Sequence, residues 1–81
     1  MSLVTVQLFA SYAETLGGPT IKIALEAGGT VRDLVENIRS LPGAYVLPAS
    51  PRVAVNRRFA SPDQLVDAGD EVALIPPVSG G

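Results

Sequence analysis

Thr30-Val31-Arg32-Asp33-Leu34-Val35-Glu36-Asn37-Ile38-Arg39-Ser40-Leu41 is the stretch from which the architecture is read. Val31, Leu34, Val35, Ile38 and Leu41 recur at helical spacing and form one apolar stripe, with Arg32, Glu36 and Arg39 on the solvent side. Thr30 stands where an N-cap belongs, and Asp33, three residues on, resembles the second half of a capping box at the positive end of the helix dipole. Glu36 follows Arg32 by four residues and precedes Arg39 by three, a spacing that predicts a surface ion-pair ladder of roughly 0.3 kcal/mol per pair. Leu41-Pro42-Gly43 stops the helix. One stripe on one helix needs a single broad surface to cover it.

The flanking segments supply that surface. Before the helix, residues 4–10 alternate, with Val4, Val6 and Leu8 on one face and Thr5, Gln7 and Phe9 on the other, the period of a half-buried strand. A short helical turn is expected over 11–16, broken by Gly17-Gly18-Pro19. A second alternating run follows, with Ile21, Ile23 and Leu25 inward, so the two runs form an antiparallel hairpin. After the helix, 44–51 reads as an irregular connection and 52–56 as a third strand, which Arg57-Arg58-Phe59 continues or turns out of. Leu65-Val66 reads as a brief turn over the core. Asp67-Ala68-Gly69-Asp70 is expected to be a tight turn with Gly69 at positive φ. The last strand, 71–75, places Val72 and Leu74 inward. The order strand, strand, helix, strand, short turn, strand is the layout of an α+β β-grasp (ubiquitin-like) domain, a mixed sheet with one main helix packed on one face. The expected division is a domain over 1–75 and an extended C-terminal tail over 76–81.

Composition narrows what such a domain can do. At 81 residues it is one domain with one modest core. The formal net charge of −2 supplies no field for nucleic acid, and no apolar run approaches the roughly 18 residues that a membrane span needs. A cytoplasmic protein, without nucleic-acid or membrane partners, is therefore expected. With no cysteine and no histidine, the usual zinc ligands, thiolate chemistry and the usual neutral-pH base are all missing, so no metal site is expected. Chemistry here must use a carboxylate, an amine, a hydroxyl or a chain terminus.

The sequence closes on Pro76-Pro77-Val78-Ser79-Gly80-Gly81. With the first and last strands parallel at the sheet centre, this tail starts from a rigid base. Pro76 and Pro77 have no N–H to extend the ladder, and six residues reach about 20 Å. Gly80 and Gly81 have no Cβ and suit a narrow slot. On the sheet face away from the helix, Phe9, Ala73 and Ile75, with Phe59 nearby, read as a group as a docking patch beside the tail, although taken singly Phe9 reads equally as a scattered surface apolar and Phe59 as folded into the core edge. Arg52, Arg57 and Arg58, with Lys22, read either as a basic rim for an acidic partner or as charges that discourage strand aggregation.

Asp70-Glu71-Val72-Ala73-Leu74-Ile75-Pro76-Pro77-Val78-Ser79-Gly80-Gly81, together with Leu8-Phe9-Ala10 and Val53-Ala54-Val55-Asn56, resembles the sulfur-carrier (small) subunits of molybdopterin synthases, and the likeness covers most of the chain. The resemblance implies a carrier that is not an enzyme by itself. Its terminal glycine, Gly81, is adenylated by an E1-like enzyme with ATP and converted to a thiocarboxylate with a sulfur donor system. The sulfur then passes to a cyclic pyranopterin phosphate in the large subunit. It further implies insertion of Gly80, Ser79, Val78, Pro77 and Pro76 into the large subunit, partner contacts at Phe9, Phe59 and Ile75, no permanently bound cofactor, and an assembly of two small and two large subunits. Two departures stand out: Ala13 precedes Glu14 where the family commonly has arginine, and Leu74-Ile75 replace frequent aromatics. A carrier for thiamine thiazole or cysteine synthesis, or a ubiquitin-like protein modifier, is the alternative.

Overall fold

The computed structural model describes residues 2–77. Strand β1 (Ser2–Gln7) leads into helix α1 (Ala10–Leu16), strand β2 (Thr20–Leu25) and the main helix α2 (Val31–Arg39). A 3-10 turn at Ala44–Val46, strands β3 (Arg52–Val55) and β4 (Arg58–Phe59), and strand β5 (Val72–Ile75) complete it. The sheet runs β2-β1-β5-β3-β4. β1 and β5 are parallel neighbours, with Val6 opposite Val72 and Gln7 opposite Ala73; the remaining pairs are antiparallel. This is the expected α+β mixed sheet, with the first and last strands at its centre.

Period-2 alternation decides which side of each strand meets α2. Val4, Val6, Leu8, Ile23, Leu25, Val53, Val55, Val72 and Leu74 are all buried, and Val31, Leu34 and Ile38 of α2 are buried against them. Each such side chain contributes about 1.5–3 kcal/mol, which outweighs any surface pair on the helix. Val35 and Leu41 pack at the margin. Tyr12 of α1 joins the core with its hydroxyl unpartnered among the described residues, and burial pushes its pKa up.

The capping box forms as the sequence predicts. Thr30 Oγ1 accepts from the Asp33 N–H at 3.3 Å, and Asp33 Oδ2 accepts from the Thr30 N–H at 3.0 Å. A distant segment satisfies two more of the free donors at this helix end: Val31 N–H donates to the Gln64 carbonyl and Arg32 N–H to that of Pro62, both at 2.9 Å. Leu65 bridges Thr30 and Val66 is buried, so this segment does lie over the core.

Several expectations need correction. The first strand ends at Gln7 rather than at residue 10, because Ala10 adopts φ 49° and turns the chain into α1. The main helix ends at Arg39 with Ser40 as its C-cap, before Leu41-Pro42-Gly43. The ion-pair ladder on α2 does not form. Arg32 instead reaches Asp63 at 2.8 Å, and Arg39 donates to the carbonyls of Pro48 and Ala49. The packed loops present these better acceptors. The third strand ends at Val55, and Asn56 (φ 53°) and Arg57 (φ 69°) make a two-residue hairpin turn into β4. Gly69 is not among the glycines at positive φ; the turn closes through Asp70 N–H to the Asp67 carbonyl at 3.0 Å without it.

Gly43, by contrast, has φ 89°, and a Cβ there would stand 2.5 Å from the Thr15 carbonyl oxygen. Gly43→Ala is therefore expected to destabilise the fold by more than about 1 kcal/mol, whereas Gly69→Ala, with nothing within 4 Å, stays within about 0.5 kcal/mol. Denaturant unfolding of the two variants measures the contrast.

Candidate docking groove and tail root

The open face of the sheet follows from the same alternation. With Val72 and Leu74 turned to α2, Ala73 and Ile75 of β5 face outward, Ala54 of β3 lies opposite both Ala73 and Phe59, and Gln7 stands opposite Ala73 on the other side. These residues, with Phe9, Arg57 and Glu71, line a groove of about 420 Å³. The small side chains of Ala54 and Ala73 form its floor, while Phe9 and Phe59 form its walls. Phe9 is 46% and Phe59 66% exposed, so both rings remain available. The structure thus brings together Phe9, Phe59 and Ile75, residues far apart in the chain, and Phe59 lies on the open face instead of in the core edge.

The tail root adjoins the groove. Pro76 and Pro77 follow Ile75 directly; Pro76 is half-buried and Pro77 exposed. Val78, Ser79, Gly80 and Gly81, named from the sequence as the tail, lie outside the described residues.

A polar clamp fixes the opposite end of β5. The Asn56 N–H donates to the Glu71 carbonyl at 2.7 Å, and the Glu71 N–H donates to Asn56 Oδ1 at 2.9 Å. Asn56 Nδ2 donates to Asp70 Oδ1 at 3.1 Å, and the Asp67 N–H donates to Asp70 Oδ2 at 2.8 Å. Arg57 Nε meets Glu71 Oε2 at 3.2 Å along the groove edge. The sequence places Asp70 in a turn and Glu71 at the start of the last strand, and by itself gives Asn56 no contact; an Asn at a hairpin corner is the available signal.

The basic residues do not form one rim. Arg52 lies opposite Ile75 on the open face, and its guanidinium carbon is 5.3 Å from the Phe59 ring centroid. Arg58 lies opposite Val55, whose side chain faces the helix, so the register assigns it to the other side of the sheet. Lys22 of β2 pairs with Thr5 of β1 and so stands two strands from β5. Among the described residues, no group of three His, Cys, Asp or Glu side chains could hold a metal ion, and no helix is long and apolar enough to cross a membrane.

The Asp67 N–H and the Asn56 amide hold the Asp70 carboxyl below its usual pKa of 3.8. A folded-state pKa below the unfolded value gives stability that is present above the unfolded pKa and lost as pH falls through the folded one. Asp70→Asn is expected to show a shallower fall in Tm than the wild type below about pH 4, with the two curves parallel above about pH 5. Thermal melts across that range test the clamp.

Comparison with known proteins places this geometry among relatives. The sequence pattern of the ThiS family matches residues 6–81. The chain is 30% identical over 79 residues to the molybdopterin synthase sulfur carrier subunit of Arabidopsis thaliana, covering 96% of this chain and 82% of that one. It is 34% identical over 80 residues to the protein of the same name from Dictyostelium discoideum, covering 94% and 93%. Small archaeal modifier protein 1 of Haloferax volcanii is 33% identical over 87 residues, covering 93% and 97%. The crystal structure of SAMP1 from that organism matches with a TM-score of 0.82 at 30% identity, covering 99% of this chain and all of that one.

Proposed function

The chain belongs to the ThiS family, and on that premise we propose that it is a cytoplasmic sulfur carrier for molybdopterin synthesis, with Gly81 as the residue that bears the sulfur. The observation that carries the reading is the launch of the tail from β5, a central strand, beside a groove lined by Phe9, Phe59 and Ile75. Its similarity to two molybdopterin synthase sulfur carrier subunits supports the choice of pathway.

The chemistry explains why the chain needs no cysteine. A carboxylate is a poor acyl donor. An E1-like partner attacks ATP with the Gly81 carboxylate, releasing pyrophosphate and leaving an acyl adenylate. A sulfur nucleophile from the donor system then displaces AMP and gives the thiocarboxylate. In the large subunit, the sulfur passes to a cyclic pyranopterin phosphate, and the carboxylate is regenerated with an oxygen from water. Gly80 and Gly81 let the stem enter a narrow channel, and Ser79, Val78, Pro77 and Pro76 span the distance from the body. This chain's own part is to dock, to extend the terminus and to be regenerated. The catalytic groups and the ATP belong to partners. Two sulfurs per product fit an assembly of two small and two large subunits.

Similarity to small archaeal modifier protein 1 favours a second reading, in which the same activated Gly81 is joined to lysine side chains. Both readings share the activation step and differ in the acceptor.

Incubation with the activating enzyme, ATP and a sulfur donor is expected to raise the intact mass by the difference between sulfur and oxygen. An unchanged mass refutes the carrier reading, and a variant extended by one residue beyond Gly81 is expected to show no gain. Phe9→Glu or Ile75→Glu is expected to weaken binding to the large subunit at least about tenfold with the melting curve preserved. Unaltered affinity would remove the groove from the docking surface.

A further inference from the structure

The groove is electrically uneven along its length. At the end where β5 begins, the acids are already engaged: Asp70 by Asn56 and the Asp67 N–H, and Glu71 by Arg57. At the end where the tail departs stands Arg52, directly opposite Ile75 and so one residue from Pro76. Arg52 takes part in neither of the two ion pairs found among the described residues, Arg32–Asp63 and Arg57–Glu71. On a chain of formal net charge −2, a cation at the tail root without an ion-pair partner among the described residues runs against the overall sign.

Arg52 is also held in position. Its guanidinium lies over the Phe59 ring at 5.3 Å, so part of its side-chain freedom is already lost before anything binds. Phe59 is thereby both a wall of the groove and the support for the charge beside it. A planar guanidinium fixed next to an apolar slot suits a carboxylate that arrives together with an apolar anchor.

From this we infer that the large subunit presents an Asp or Glu carboxylate to Arg52 beside an apolar side chain seated in the groove, and that this pair fixes which way round the subunit docks so that the tail enters it. The inference rests on the docking reading above and adds the partner's chemistry. The partner's charge pattern would be acidic toward the tail root, whereas at the far end of the groove the lining cation, Arg57, is already paired with Glu71. Docked the wrong way round, the partner would set its carboxylate beside Glu71 and Asp70, and like charges disfavour that arrangement.

The test is titration of the large subunit with wild-type carrier and with Arg52→Gln, Arg52→Lys, Arg57→Gln and Phe9→Glu, each at low and at high salt. Arg52→Gln is expected to lose about tenfold in affinity at low salt, the effect of truncating an interface arginine, and to show a flatter salt dependence than the wild type. Arg52→Lys is expected to retain the salt dependence with part of the affinity. Arg57→Gln, whose charge Glu71 already balances, is expected to change affinity less. If Phe9→Glu abolishes binding while Arg52→Gln matches the wild type in affinity and salt dependence, docking stands and the role of Arg52 falls. If neither variant changes binding, the docking reading falls with it. Self-association of Arg52→Gln with unchanged partner affinity would assign the arginine to strand-edge protection and overturn the inference.

Discussion

The parallel pairing of β1 with β5 is the constraint on which the rest depends. Val6 and Val72 stand side by side at the sheet centre, both fully buried, under Leu34 and Ile38 of α2. Parallel neighbours cannot be joined by a tight turn, so everything between them must form the crossover that returns the chain to the sheet centre. The hairpin, the helix and the β3–β4 corner are that crossover. The consequence lies along β5: β1 pairs with its first half, at Val72 and Ala73, while β3 pairs with its whole length, so that Ile75, the last residue before Pro76, is held opposite Arg52.

The same pairing creates the groove on the open face. Because α2 claims one set of alternating side chains, the other set on the open face has no internal partner. Here that set includes two alanines flanked by two phenylalanines, giving a shallow slot with aromatic walls. Polar groups hold the far end of β5, through Asn56, Asp70 and Glu71, and Arg52 marks the near end. The strand is thus fixed by side-chain hydrogen bonds where it begins and by its ladder to β3 where it ends.

Hydrophobic phase was legible in the sequence because it is local and strong. Val4, Val6 and Leu8, then Val31, Leu34 and Ile38 of α2, and Val72 with Leu74 all fall where their spacing assigns them, since each buried side chain contributes more than any competing local preference. The capping box was legible for a similar reason: Thr30 and Asp33 are three residues apart and satisfy each other within one turn. The ion-pair ladder on α2 failed because its energy is small. Asp63 and the carbonyls near Pro48, brought in by folding, outcompete Glu36 for the arginines. Gly69 misled in another way, since a glycine in a turn permits positive φ without requiring it.

The sequence by itself therefore determined the order of the main helix and of the four longer strands, the inward faces, the lack of thiol and imidazole chemistry, and the residues Phe9, Phe59 and Ile75 as candidates. Only the tertiary structure decided that these three line one groove, that Arg52 lies over Phe59 while Arg58 lies on the other side of the sheet, and that Asn56 clamps the start of β5. The physical reason is range. Periodicity and capping act over a few residues and can be read along the chain. The register between strands, and the partner a charged side chain finds, depend on which distant segments the buried core brings together.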